Sequence, residues 1–334
     1  MEGKKRKTGR RIAAFVAVVT ALQVGVFYHY NAILAGPRTP ASESPQGAPS
    51  PSATDRVKQQ LANLRQLHPT LAVSDDGRYA AYTDDANQVH VVELGKDGDL
   101  ETIQMKAPVV YLKWVQDSAL FVGEKFSVGS DHRLALATID IATQTVRLIQ
   151  TFSRLYSTTT FKQIEFSDTT NDIYVLIGNS QSDQVYHFNI MSEMSQVPLG
   201  GRRIDRIAVS ETTNDLFIQD FAEGTHNVLV YNKHGLTLIQ RNAALLRAVD
   251  NDLYYALLND QGEATAVYRY APPAASAGVG TGGSGNSAGE TGGANADAKG
   301  SSSLVKTLDT PVDPLAIHIS DDGAVTVGTP TPAT

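Results

Sequence analysis

The residue types that could do chemistry are scattered along this chain. Eight histidines stand singly at His29, His68, His90, His132, His187, His226, His234 and His318, and no pair has H-E-x-x-H or comparable ligand spacing. His90, His187 and His318 fall within apolar runs, where a ring on a sheet surface with one satisfied hydrogen bond is the simpler reading. Gly278-Val-Gly280-Thr-Gly-Gly283 matches the dinucleotide letters G-x-G-x-x-G. That fingerprint works only after a strand and before a helix, whose N-terminus meets the pyrophosphate, and the surrounding Gly/Ala/Ser tract supplies neither. No G-x-S-x-G nucleophile elbow occurs. The pairs Asp75-Asp76, Asn171-Asp172 and Asn214-Asp215 offer oxygen ligands to Ca²⁺, but EF-hand spacing is absent, and such residues ordinarily hydrogen-bond their own turns. Arg202, Arg203 and Arg206 are densely placed, and read either as a local carboxylate site or as a solvated loop. Trp114, the sole tryptophan, fits a sheet core or a rim contact.

The elements that would position these residues are short and β-type. Tyr79 to Tyr82, Val89 to Leu94, Leu134 to Ile141, Ile173 to Ile177, Val185 to Ile190, Val228 to Tyr231 and Leu253 to Leu258 are rich in Val, Ile, Tyr and Phe and separated by turn residues. Before them, Val57, Leu61 and Leu64 recur at i, i+4, i+7 behind Thr54 and Asp55, the pattern of a short capped helix with one apolar stripe. No long helical periodicity follows residue 67, so the domain is expected to be all-β.

One pattern returns. Val73-Ser74-Asp75-Asp76-Gly77 precedes Tyr79, and Phe166-Ser167-Asp168-Thr-Thr-Asn171-Asp172 precedes Ile173. Val209-Ser210-Glu211-Thr-Thr-Asn214-Asp215 precedes Leu216, and Ile319-Ser320-Asp321-Asp322-Gly323 precedes Ala324. Looser copies lie at Trp114-Val-Gln-Asp117-Ser and Ala248-Val249-Asp250-Asn251-Asp252. From positions 74, 116, 167, 210, 249 and 320 the steps are 42, 51, 43, 39 and 71. The last step spans a low-complexity insertion of roughly 30 residues, without which it falls into line with a period near 40–45 and about four strands per unit, the signature of a β-propeller. Each small sheet buries its faces against neighbours. Five or six four-stranded blades are expected, and a series of immunoglobulin-like sandwiches is the alternative.

The strongest copies resemble the bacterial WD40-like repeat of Tol-type propellers and of the propeller domains that precede prolyl-peptidase hydrolases. That repeat opens with an apolar or aromatic residue, then Ser-Pro-Asp-Gly, a variable pair and an apolar strand. Ser74, Asp76, Gly77, Ser320, Asp322 and Gly323 match it, whereas Asp75 and Asp321 stand where the family prefers Pro. The resemblance covers short turns, so it implies architecture and leaves function open. With no hydrolase domain following the β region, it carries no peptidase activity.

The N-terminus fixes an expected workplace. Lys4, Lys5, Arg6, Lys7, Arg10 and Arg11 lead into an uncharged, mostly apolar run over 12–34, long enough to cross a bilayer as a helix. The cations hold the start inside the cytoplasm and send the remainder across. A cleaved signal peptide is the alternative. The expected organisation is a basic cytoplasmic tail 1–11, a transmembrane helix 12–34, a Pro/Ser/Ala-rich flexible linker 35–53, a stalk helix 54–67 and a propeller domain 68–271. A disordered insertion 272–303, last propeller strands 304–328 and a tail 329–334 complete it.

Charge narrows the partners. The tail takes six of the 28 basic and one of the 35 acidic residues, which leaves 22 against 34 and a net of −12. An acidic exterior lacks the clustered cations that nucleic acid demands. No cysteine is present, so no disulfide holds the domain. No catalytic, cofactor-binding or metal-binding residue is assigned, no cofactor is expected, and the binding residues are unknown. The expected protein is a single-pass, membrane-anchored propeller outside the cytoplasmic membrane. It is expected to be non-enzymatic and to bind or scaffold a protein partner of the cell envelope. The alternative is a receptor that takes a small ligand, peptide or sugar in the propeller channel.

Overall fold

A computed structural model describes residues 53–273 and 300–328. The chain divides into Met1–Pro51 and Ser52–Thr334, and the first unit, with the expected transmembrane helix at 12–34, lies outside the described residues. Among the described residues no helix is long and apolar enough to cross a membrane.

Among the described residues one α-helix, α1 (Ala53–Leu67), precedes 22 strands. Sheet 1 holds β1 (Leu71–Val73), β2 (Tyr79–Thr83), β3 (Gln88–Glu93) and β4 (Asp99–Gln104). Sheet 2 holds β5 (Val109–Val115), β6 (Ala119–Val128), β7 (Asp131–Asp140) and β8 (Thr145–Leu155). Sheet 3 is β9 (Thr160–Phe166), β10 (Ile173–Gly178), β11 (Asp183–Phe188) and β12 (Met194–Gln196). Sheet 4 is β13 (Arg203–Val209), β14 (Leu216–Ala222), β15 (Thr225–Asn232) and β16 (Gly235–Arg241). Sheet 5 is β17 (Ala243–Val249), β18 (Asp252–Leu258), β19 (Ala264–Ala271) and β20 (Ser301–Val312). A sixth sheet has two strands, β21 (Ile317–Ile319) and β22 (Val325–Val327). Each larger sheet is an antiparallel meander, and first strands touch in succession: β1 with β5, β5 with β9, β9 with β13, β13 with β17, β17 with β21. The domain is all-β and propeller-like.

The apolar runs form this architecture because second strands are covered on both faces. In β6, Leu120 and Val122 point into the core shared with sheet 1, while Phe121 points into the core shared with sheet 3. In β14, Leu216 and Ile218 serve the sheet 3 side and Phe217 the sheet 5 side. In β18, Leu253 and Tyr255 face sheet 4, and Tyr254 and Ala256 face β21. A continuous apolar run is what two-sided burial requires. Sheet 1 has no preceding sheet in these cores. Its outward residues Ala80, Val92 and Leu94 are covered by Val57 and Leu64 of α1, and α1 itself has no fully buried residue.

The recurring serine closes the turn between first and second strands. Ser74 N–H donates to Tyr79 O (2.9 Å), Tyr79 N–H donates back to Ser74 Oγ (2.9 Å), and Ser74 Oγ donates to Asp76 Oδ1 (2.7 Å). Ser210 repeats the exchange with Asp215, and Ser320 with Ala324. Ser74, Ser167 and Ser210 are buried; the hydroxyls of Ser74 and Ser210 are spent inside the turn, while that of Ser167 donates to Glu211 O at 2.7 Å. Gly77 (φ +69°) and Asn171 (φ +57°) take the left-handed position that such turns need.

Candidate functional site

The first strands end in apolar residues, yet each of four carries a cation two to four positions before its end: Lys113, Lys162, Arg206 and Arg247. All four first strands are bulged, as their registers shift between Val109 and Tyr111, Phe161 and Gln163, Ile204 and Arg206, and Leu245 and Arg247. A bulge interrupts the ladder and leaves main-chain groups to be satisfied otherwise. The cations reach main-chain oxygens across sheet boundaries, and two of these oxygens, on Ile204 and Leu245, adjoin a bulge. Lys113 Nζ donates to Ile164 O (2.6 Å), Lys162 Nζ to Ile204 O (3.1 Å), Arg206 Nη1 to Leu245 O (3.2 Å) and Arg247 Nη1 to Ile319 O (2.8 Å). Each first strand is thereby stitched to the next.

Amide and acid side chains make further stitches. Gln163 Nε2 donates to Ile207 O (2.8 Å), and Gln163 Oε1 accepts from Ile207 N–H (2.9 Å). Tyr111 OH accepts from Ile164 N–H, Asp183 Oδ2 from Ile204 N–H, and Gln219 Oε1 from Leu245 N–H. Trp114 Nε1–H reaches back to Ala72 O at 3.2 Å. That indole lies in the core between sheets 1 and 2, which resolves its two sequence readings in favour of the core.

Of these groups Tyr111, Lys113, Trp114, Lys162, Gln163 and Arg206 line a cavity of about 320 Å³ among β1, β5, β9 and β13. Lys113, Lys162, Arg206, Asp75, Glu165 and Asp205 supply its charges. Lys113 pairs with Glu165 (2.9 Å) and Lys162 with Asp183 (2.8 Å). Burial opposes the charge on Lys113, but Glu165, the Tyr111 hydroxyl and Asp75 outweigh it and hold its pKa above the usual lysine value. Arg206 is different: burial pulls its pKa down and Glu165 only partly compensates. Asp205 Oδ2 takes contacts from His226 Nδ1 (2.7 Å) and Gln219 Nε2 (3.3 Å).

The residues singled out in the sequence mostly lie elsewhere. Arg202, Arg203 and Arg206 part company: Arg202 pairs with buried Asp220 (2.5 Å), Arg203 lies over the Phe221 ring (5.6 Å), and Arg206 lines the cavity. His90 sits between Asp99 (2.7 Å) and Asp84 (3.3 Å), His187 against Asp172 (2.6 Å), and His318 is exposed. Among the described residues no group of histidines and acids could hold a metal ion. Of the Asp and Asn turn residues, Asp76 spends its carboxylate locally on Ser74 and Arg78 and Asp215 on Thr213, whereas Asp172 meets His187 and Asp75 lines the cavity. Gly278 to Gly283 lies outside the described residues. Lys113, Lys162, Gln163 and Glu165 escaped notice in the sequence. Their signal is a charged residue recurring inside an otherwise apolar strand shortly before each turn.

No protein-family model and no curated protein matches this chain. Solved structures do. A dipeptidyl peptidase 4 from Porphyromonas gingivalis aligns at 9% identity and TM-score 0.43, over 60% of this chain and 35% of that one. TolB from Acinetobacter baumannii aligns at 11% and 0.37, over 60% and 50%. An oligogalacturonate lyase aligns at 10% and 0.41, over 59% and 60%. In each case the match spans less than two thirds of the other chain. Two of the three are enzymes, so the expectation that the domain is non-enzymatic is not retained. At such identities the likeness concerns the fold alone, and no reaction is carried over.

Proposed function

We propose that this protein is a receptor that takes a small polar ligand in the channel of a β-propeller, and that residues 12–34 hold it at the outer side of the cytoplasmic membrane. The observation that carries the reading is the convergence of Lys113, Lys162, Arg206, Asp75, Glu165 and Asp205 on one cavity of about 320 Å³. A ligand site is a concave pocket in which a few oriented polar groups fix the pose, and here Lys113, Lys162, Arg206 and Glu165 are held by bonds between sheets. The geometry favours this over a scaffolding surface. The exposed apolar side chains of the outer strands are spread over separate sheets: Leu100 on β4, Val146 and Leu148 on β8, Met194 on β12, Leu238 on β16, and Leu304 and Val305 on β20.

Thermal unfolding with a panel of amino acids, dipeptides and sugars tests the reading. A ligand that binds the folded state raises the melting temperature with concentration. Asp75→Arg, at an exposed turn position on the cavity, should abolish the rise, with a modest fall in the unliganded melting temperature because Asp75 also favours the charge on Lys113. Absence of any shift across the panel would refute the receptor reading.

A further inference from the structure

Arg206 stands apart from the other three cations of the first strands. Lys113, Lys162 and Arg247 each pair with a carboxylate, namely Glu165, Asp183 and Asp321. Among the described residues no carboxylate forms an ion pair with Arg206, and its one hydrogen bond runs from Nη1 to Leu245 O. A guanidinium carries five N–H donors in a rigid planar fork, so most of this one is unspent. It is half-buried and lines the same cavity. A half-buried cation whose charge is only partly offset is costly, and burial weakens its hold on the proton while Glu165 compensates in part.

Resting on the receptor reading above, we infer that the ligand of this cavity carries a carboxylate, which seats on the unspent edge of Arg206. Two planar, parallel N–H···O bonds suit an arginine fork and a carboxylate. Lys113 and Lys162 are not competitors for that group, because each is already neutralised by its own acid. Asp75, whose carboxylate has no hydrogen bond or ion pair among the described residues, and the unspent Oδ1 of Asp205 line the same cavity. They give a positive group on the same ligand a place to go, so a zwitterion fits better than a simple anion.

Calorimetric titration of the full chain with alanyl-alanine and with its C-terminal amide tests this. The two probes differ only in the carboxylate. The acid should bind about 10- to 100-fold more tightly than the amide, the size of a charge-assisted hydrogen bond. Arg206→Gln should bring the acid down to the level of the amide. Arg206→Lys, which keeps the charge and a donor for Leu245 O, guards against a folding defect and should give an intermediate loss. Equal binding of acid and amide by the native protein would overturn the inference and leave the receptor reading standing. Binding of neither would overturn the inference, and a silent panel in thermal unfolding would then remove the receptor reading as well.

Discussion

Asp183 occupies the space above Gly178: a Cβ built on Gly178 would stand 1.8 Å from Asp183 Oδ1 and 2.9 Å from the Ser182 carbonyl oxygen. The close approach lets a buried carboxylate reach across to sheet 4. There it accepts from Ile204 N–H at 2.7 Å, while within sheet 3 it pairs with Lys162 at 2.8 Å. The backbone of one strand is thus left bare so that an acid can join two sheets.

Gly178→Ala should therefore destabilise the domain by about 1–3 kcal/mol, the range for forcing extra volume into a packed site. Asp183→Ala should cost about 3 kcal/mol, the low end for breaking a buried ion pair, because Lys162 keeps contact with water. Midpoints of urea unfolding give both values. An unchanged midpoint for Gly178→Ala would mean that Asp183 has room to withdraw.

Trp114 donates its indole N–H to Ala72 O from within the core between sheets 1 and 2. As the sole tryptophan, it should emit at short wavelength in the folded protein and shift to the red in urea. Trp114→Phe leaves the Ala72 carbonyl without that donor and should cost about 1–3 kcal/mol. A native emission maximum like that of free tryptophan in water would contradict this burial.

His90 gives the fold a dependence on pH. Burial disfavours its charged form, but hydrogen bonds and charges from Asp99 and Asp84 outweigh that and raise its pKa above 6.5. A raised native pKa stabilises the fold wherever the ring is protonated. The contribution is in full below about pH 6.5 and fades as the pH climbs through the raised native value. Unfolding midpoints measured from pH 6 to pH 9 should fall faster for the native protein than for His90→Gln. Parallel curves would count against this assignment.

The covering of sheet 1 by α1 is shallow. Val57 and Leu64 supply the apolar contact, and Gln60 adds a bond from Nε2 to Lys96 O and accepts from Gly95 N–H. Leu64→Asp should free the helix with a loss of about 1 kcal/mol. Limited proteolysis should then cut within residues 53–67 while the sheets resist. Equal resistance of helix and sheets in that variant would show a firmer attachment.

Much of this fold was legible in the residues. The Ser-led turns and the unbroken apolar runs mark strands buried on both faces, because a turn's bonds are local and two-sided burial writes itself into every position. The site was not legible, since its bonds join residues some forty to fifty positions apart, as Lys113 to Ile164 or Lys162 to Ile204. Nothing in a single strand announces the bulge that frees a carbonyl on its neighbour. The arginines at 202, 203 and 206 looked like one cluster because they are close in sequence, but alternation and a bulge at Asp205 send them to three environments. Ser301–Ser303 read as part of a low-complexity stretch, yet they pair with Arg269, Tyr270 and Ala271. There the edge of β19 templates a strand that side-chain propensity alone would not favour.

Ala271 and Ser301 face one another in the ladder between β19 and β20. Whatever the chain threads between them starts and finishes at one spot on the margin of sheet 5. A fluorescent reporter cloned there would hang from two neighbouring cords and tug on no other strand. The protein can thus be watched in living cells with both of its ends left as they are.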